Sequence, residues 1–595
     1  MPLSRKTLAT TSLREFWGVR QPDVFLGKWC LRQSNDSEQP DLVARVLAYP
    51  WAVGGARLTA YRDCIDLKRV LLTEIAALLN AHHSVCYSLR SWNLLLGAWL
   101  QRLVMVSYHH SRCLEEAQRE VPDAMVFGPV REASSPPSTS IKLFFDLQRE
   151  YRHQEIFAHF AEEMGIPCER VPVSAVDLPN GQRPIVIDSI PDWIDWSYRK
   201  IRTVPKATAK FVARRATCVL YNATPTPREA LQLALLSLLR VAPLPILSLD
   251  EVAWPKPDVE LRKRISHDLL RRVSNGVFTQ RLVSLLPSFL PISLLEGFVD
   301  LRRQVSEYFP RRPRRIISSM AWVGDDAFCL WAAEQSEKGT ELVSAQHGGT
   351  YGVRAMLSGS ELVESEVADK FLSWGPGTRV GANSVTLPVL PHFYTQRRRV
   401  KLGTLLFVAG ISALLPPGFA SAADGPDALD VVDRQKQFFT NLSDRYRQEF
   451  IVRPYPHDFG WMEEAKLEAA IPGLKFDDRS VGFIQRMSEA RLVVSDNMHS
   501  TYMQAIGSGI PTVLFWDRDI WSVNGDAMPK FNRLSEAGIL HSDPAKAAAK
   551  VTEIADDPMG WWRSGPVADA VASFVENYFY TTSRWRSAWV DELTV

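Results

Sequence analysis

Apolar residues in this chain fall into two rhythms. Short runs rich in Val, Leu and Ile have the length and composition of strands buried on both faces, and longer stretches repeat their apolar positions every three or four residues, as half-buried helices do. Over residues 228–393 helices come first. Then 315–318 reads as a strand, 325–338 as a helix, and 341–345 as a strand that empties into Gln346-His347-Gly348-Gly349. Further on the alternation is regular, with strands at 405–409, 451–453, 490–494 and 512–515 and helices at 427–450, 480–489 and 500–508. Strand and helix in turn are the pattern of βαβ units, which build parallel sheets flanked by helices. The N-terminal part, up to about residue 227, is mixed: helical period marks 67–79, 91–116 and 141–164, and strand-like runs lie at 184–190 and 218–221. Residues 561–595 read as helical, carry several Trp and Tyr, and are expected to pack back on another domain.

This organisation predicts an α/β chain with two Rossmann-like lobes facing a cleft, the N-terminal lobe enlarged by helices. The lobes are set at 1–393 and 394–565, with a helical tail at 566–595. A length of 595 residues suits several domains, and 46% hydrophobic with 23% charged residues excludes wholesale disorder and collagen-like composition. The formal net charge of +2 conceals two basic runs: Arg311, Arg312, Arg314 and Arg315, and then Arg397, Arg398, Arg399 and Lys401. Such runs form solvated faces, or suit an anionic membrane surface or a diphosphate-linked acceptor; they do not establish a nucleic-acid partner, and none is expected. Seven cysteines without a CxxC exclude a disulfide framework and a zinc ribbon. Residues 1–17 have no apolar export core, so the expected compartment is the cytoplasm, with peripheral attachment to the inner membrane in view. The stretch 397–423 has the basic, apolar and small-residue order of a signal peptide, but it is internal, and a buried strand at 403–409 followed by a Gly/Pro-rich loop accounts for it.

Three segments carry candidate chemistry. In the first, the strand at 490–494 breaks into Ser495-Asp496-Asn497-Met498-His499-Ser500-Thr501 at the start of a helix. Hydroxyls and uncapped N–H groups at that place suit a phosphate, whereas capping alone accounts for one such residue and poorly for a cluster. The second is Arg453-Pro454-Tyr455-Pro456-His457, where Arg453 offers a forked cation for a diphosphate or pairs with a carboxylate. In the third, Gly348 and Gly349 let backbone approach a ligand, and His347 titrates in the range a general base needs; Thr350 and Tyr351 are further candidate contacts. Asp325, after the 315–318 strand, is a candidate base or an N-cap. Glu364 lies on a helix where it either meets acceptor hydroxyls or sits on a solvated face. His82, His83, His109 and His110 match no metal motif, and no P-loop or GxSxG is present, so no metal is expected.

The segments Phe25-Leu26-Gly27-Lys28-Trp29-Cys30, Ser91-Trp92-Asn93-Leu94-Leu95-Leu96-Gly97-Ala98-Trp99-Leu100, Gln346 to Gly352, Phe371-Leu372-Ser373-Trp374-Gly375 and Ser495 to Trp516 resemble transferases of O-antigen and other surface-carbohydrate gene clusters. More distantly, the chain is similar to teichoic-acid glycerophosphotransferases and capsule-type transferases of GT-B architecture. That resemblance implies an active-site histidine at His347, a basic-Pro loop at Arg453 and Pro456, and a donor-phosphate turn at Ser495, Asp496, Ser500 and Thr501. Two departures stand out. Tyr455 occupies the place where a histidine usually precedes the loop proline, with His457 displaced by two, and Asn497-Met498-His499 looks inserted. The expected activity is glycosyl transfer from a nucleotide sugar to a glycan or lipid-linked glycan, with no cofactor beyond that co-substrate. A CDP-polyol phosphotransferase and a non-catalytic assembly scaffold are the alternatives.

Overall fold

In the computed structural model the described residues are 5–18, 21–32, 45–52, 55–130, 135–172, 206–223, 226–273, 276–378, 380–381, 383–395, 403–410, 419–423, 425–456 and 458–595. The strand-like run at 184–190, the basic run at 397–401 and His457 lie outside them. Three sheets follow one another along the chain, and every pairing in them is parallel.

The first sheet has the order β2-β1-β3-β4, from β1 (Lys6–Ala9), β2 (Val24–Phe25), β3 (Ala124–Pro129) and β4 (Cys168–Val171). It is a departure from the reading of the N-terminal enlargement as helical. Its strands are two to six residues long and mix exposed with buried positions, so no run stands out in the sequence. The helices Ala56–His83 and Leu89–Glu120 pack beside it. From Ser91 to Ser107 the second of these is buried at every position, as a helix surrounded by protein must be. One apolar core runs through it from the first sheet into the second.

The second sheet, β10-β9-β8-β7-β5-β6, contains β5 (Cys218–Tyr221), β6 (Val241–Leu244), β7 (Arg315–Ser318), β8 (Glu341–Ala345), β9 (Lys370–Ser373) and β10 (Ser384–Thr386). The third, β13-β12-β11-β14-β15-β16, contains β11 (Thr404–Val408), β12 (Phe450–Arg453), β13 (Lys475–Phe476), β14 (Ala490–Ser495), β15 (Thr512–Phe515) and β16 (Leu540–His541). In the third, the strand order reverses between β11 and β14, and in the second between β5 and β7. Ligands of open α/β sheets bind in the crevice outside the carboxyl ends at such a reversal. The signal-like stretch contributes β11, paired on both sides inside its sheet.

Two long helices expected from periodicity are broken. The expected 427–450 helix is Ala428–Thr440, a short turn Asp444–Arg447, and then β12 from Phe450. Asn441 ends the first helix and Ser443 adopts extended backbone before the second, in keeping with the preference of Asn and Ser for caps and turns. The 141–164 helix is likewise split into Ser140–Asp146 and Glu150–Glu163.

The tail crosses from the third sheet to the second. Helix Gly565–Tyr578 lies against Gly375 and Gly377, where a Cβ would collide with Asn577 or Tyr578. Helix Trp585–Thr594 buries Trp585, Trp589 and Leu593 on the second sheet, and the Trp589 indole N–H donates to Pro388 O at 2.9 Å. Among the described residues no helix is long and apolar enough to cross a membrane.

Candidate active site between the second and third sheets

The loop leaving β8 reaches across to the helix that follows β14. Gly349 N–H donates to Ser500 Oγ at 3.0 Å, and Tyr502 OH donates to Gly349 O at 3.5 Å. A Cβ on Gly349 would lie 3.0 Å from both Ser500 Cα and Met503 Sδ, which is why glycine stands there. Gln346 holds the loop from behind: its Nε2 donates to Gly348 O at 2.8 Å and its Oε1 accepts from Trp374 N–H at 2.7 Å. Beyond the glycines, Asn524 ties the loop to the third sheet through Gly352 O and Val353 O. Gly348, Gly349 and Ser500 therefore come together, with His347 next to the first glycine and Thr501 next to Ser500 in the chain.

His347 is half-buried, and a chain of hydrogen bonds supports its ring. Ser344 Oγ donates to Glu364 Oε2 at 2.7 Å, Tyr351 OH donates to Glu364 Oε1 at 2.9 Å, and Tyr351 O lies 3.0 Å from His347 Nδ1. The same phenol oxygen lies 3.3 Å from His347 Nε2, and the ring also meets backbone at Ser319 and Ala345. Burial lowers the His347 pKa to about 4, so the ring is neutral at pH 7. Glu364 is fully buried, and desolvation raises its carboxyl well above the usual range. The expectation that it meets acceptor hydroxyls or solvent is thereby corrected: its oxygens face Ser344 and Tyr351, and it positions the histidine. Asp325 also proves to be a cap, accepting from Phe328 N–H at 2.9 Å and from Tyr221 OH at 2.8 Å. Both oxygens are occupied, which argues against its place among the catalytic candidates.

The turn after β14 divides into an inward and an outward half. Asp496 accepts from Gly410 N–H at 2.7 Å and from Gln435 Nε2 at 2.6 Å, while Asn497 Nδ2 reaches Ser495 Oγ and Asp496 Oδ1. Ser495, Asp496 and Asn497 are buried and fasten β11 to β14. A phosphate-binding role for these three side chains does not fit their contacts, because a strand end under a tight turn uses its polar groups to hold the neighbouring loop. Gln435 also bonds Glu463 at 2.8 Å. Burial, with the Asp496 charge next in size, pushes Glu463 up to about 8, and burial raises Asp496 to about 6. The outward half is the start of the helix Ser500–Gly507. Its N-cap, His499, supplies no side-chain cap, and Thr501 Oγ1 is buried with no partner among the described residues. First-turn N–H groups without a cap are anion donors.

Arg453 stands beside Val408, which pairs in register with Ser495 on its other side, so about 10 Å separates the two strand ends. Its Nη1 donates to the buried Asp477 at 2.5 Å and to Val481 O at 3.2 Å. The carboxylate-paired alternative is thus the one seen. Sequence reading missed Arg354. This residue is 6% exposed, with its guanidinium 5.7 Å from the Trp521 ring, and its charge opposes the burial that raises the Glu361 pKa to about 7. It also forms an isolated antiparallel bridge with Val523 in the loop after β15 and, after burial, helps lower the His499 pKa to about 3. A solitary arginine five residues past a glycine pair carries no local signal of that role.

Next to this contact, Ile520 begins the wall of a cavity of about 480 Å³ between the first and third sheets. Lys28, Tyr49, Trp51 and Arg57 line one side, and Asp427, Asp430, Asp517 and Asp519 the other. Lys28 pairs with Asp430 and Arg57 with Asp427.

Two Rossmann-like parallel sheets meeting at their carboxyl edges, with a C-terminal helix returning to the first of the pair, define a GT-B-like α/β molecule. The chain belongs to the LIC12162 family transferases, whose sequence profile matches residues 6–593. No curated protein matches it. Among solved structures it is similar to a mutant of TarM from S. aureus in complex with fondaparinux, α-GlcNAc-glycerol and UDP, at 11% identity and a TM-score of 0.31, covering 48% of this chain and 56% of that one. UDP-GlcNAc 2-epimerase from Neisseria meningitidis, bound to UDP-GlcNAc, gives 9% identity and a TM-score of 0.33 over 60% of this chain and 98% of the other. The spinosyn rhamnosyltransferase SpnG gives 12% and 0.31 over 63% and 99%. Likenesses this loose transfer no residue roles.

Proposed function

We propose that this transferase moves a glycosyl group from a nucleotide-activated sugar to a hydroxyl of a surface polysaccharide, such as O-antigen or capsule, or of its lipid-linked precursor. The observation that carries the reading is the 3.0 Å bond from Gly349 to Ser500, which sets a neutral histidine beside an uncapped helix N-terminus at a strand-order reversal. The donor diphosphate lies at that N-terminus. There the first-turn N–H groups, Ser500 and Thr501 take up charge as the bond from the anomeric carbon to phosphate oxygen breaks. The acceptor oxygen forms the new bond to that carbon, and its proton passes to the neutral His347 ring. The nucleoside diphosphate leaves with the bonding electrons. The aromatic and carboxylate lining of the 480 Å³ cavity suits the hydroxyl-rich, neutral surface of an acceptor glycan.

The reaction so written calls on no metal and no resident cofactor, and nucleic acid has no part in it. Because it uses a nucleotide sugar, the reading places the enzyme in the cytoplasm, peripheral to the inner face of the membrane where a lipid-linked acceptor is held. A thermal-shift screen across UDP-, GDP-, dTDP-, CDP- and CMP-sugars tests it. One donor is expected to raise the midpoint, and Ser500→Ala to shrink that rise; a full rise in the variant removes the helix N-terminus from the site. Product mass then separates glycosyl transfer from transfer of a polyol phosphate.

A further inference from the structure

The amino edge of the second sheet lies a strand's length, about 16 Å for five residues, from the edge that carries His347, and its surface has no part in the reading above. Five leucines are exposed within nine residues of the helix Pro227–Leu236 and the turn after it: Leu231 by 52%, Leu235 by 60%, Leu236 by 55%, Leu238 by 86% and Leu239 by 47%. Leu238 and Leu239 have φ of +54° and +62°. Asn and Gly adopt such backbone readily and leucine does not. The turn is held in this form by Ser237, whose Oγ donates to Ala234 O and accepts from Val241 N–H. Within the chain, leucine at Leu238 gains little burial to set against that backbone.

Arginines surround this apolar tip. Thr217 N–H donates to Arg240 O and Arg314 N–H to Thr217 O, so the loops entering β5, β6 and β7 run side by side. They expose Arg214, Arg215, Arg240, Arg311, Arg312 and Arg314. The acidic groups at this edge include Glu341, paired with Arg315, Glu592, paired with Lys370, Asp369, paired with Arg90, and the exposed Asp591. Apolar side chains at a protruding turn inside a ring of guanidinium groups match a layer that is apolar beneath and anionic at its surface.

We infer that the amino edge of the β5–β10 sheet docks on an anionic lipid bilayer, with Leu238 and Leu239 entering the headgroup region and the arginines pairing with lipid phosphates. Docked this way, the crevice at the opposite edge stays open to water and substrates. The inference gives a surface to the peripheral attachment proposed above and is independent of the chemistry assigned to His347.

Flotation of the full chain with vesicles tests it. Wild type is expected to float with mixed phosphatidylcholine–phosphatidylglycerol vesicles and to stay behind with phosphatidylcholine alone. Leu238→Asn/Leu239→Asn should reduce the bound fraction at least about tenfold, and Arg311→Gln/Arg312→Gln/Arg314→Gln likewise. Asparagine accepts positive φ, so the first variant should melt no lower than wild type, which separates lost docking from lost fold. Wild type that ignores anionic vesicles, or variants that bind as wild type does, overturn the inference. So does a wild-type dimer in size exclusion that the leucine variant makes monomeric without any vesicle binding. Ligand-induced thermal shifts with the nucleotide sugars should be the same in both variants as in wild type. Vesicle binding without any donor shift would overturn the donor assignment and leave the docking surface standing.

Discussion

At Gly349 the loop after β8 meets the helix after β14. Alanine there presses a methyl against the Cα of Ser500, and backbone yields less than a side-chain tip. Gly349→Ala is expected to destabilise by about 1–3 kcal/mol through overpacking, visible as a lower melting midpoint; an unchanged midpoint would show that the loops do not bear on each other. At His347 the effect of pH has a definite sign. Its folded pKa of about 4 lies below the unfolded value near 6.5, so the stability it contributes is present above about pH 6.5 and lost as pH falls toward 4. Turnover that depends on the neutral ring should hold to about pH 5 and then drop with one proton, as a pH–kcat profile will show; a loss centred near 6.5 would contradict the neutral ring. The Gln-His-Gly-Gly run was legible because two glycines after a buried strand are a local signal. Glu364 and Arg354 were not, because their roles come from what packs on them: Tyr351 and Ser344 in one case, Trp521 and the third sheet in the other.

At the scale of elements, β11, β12 and β14 are joined under their carboxyl ends by Gln435, which lies between Asp496 and Glu463. Glu463 has a folded pKa of about 8 against an ordinary 4.5. A raised pKa contributes stability that is complete below the unfolded value and is lost as pH rises through the folded one, here across about pH 4.5 to 8. Glu463→Gln should therefore flatten the loss of stability over that range in denaturant titrations at several pH values; an unchanged slope would mean the carboxyl is not held neutral. Strands β5, β7, β8, β11, β12, β14 and β15 were legible nearly to the residue, since strands buried on both faces are continuous apolar runs, whereas β6, β9, β10, β13 and β16, most of them short or at a sheet edge, were not read. Helix ends were less so. The 427–450 and 141–164 stretches keep their apolar period through a break, and Asn441 and Ser443 mark the first break only in hindsight. The Ser495 to Thr501 turn read as one polar cluster, although half of it faces inward to hold Gly410.

Across the whole molecule, Arg32 ties the first sheet to the third. Its Nη2 pairs with the buried Glu150 at 2.9 Å and its Nη1 donates to Phe459 O at 2.7 Å, close to Gly460. Arg32→Ala leaves Glu150 buried without its cation and is expected to cost about 3–5 kcal/mol, read by denaturant unfolding; a loss under about 1 kcal/mol would mean that the pair is exposed and screened. The sequence did not announce this third body, because four short strands of mixed burial separated by long helices have neither the period nor the spacing of a βαβ series. In the proposed reaction His347 and the helix at Ser500 act together from opposite sheets. The most direct test of this measures turnover and donor affinity together in His347→Ala, using whichever nucleotide sugar stabilises the wild type. The expected result is a kcat lower by about 10²–10⁴-fold, the range for loss of a general base, with the donor Kd nearly unchanged. Undiminished turnover would contradict it.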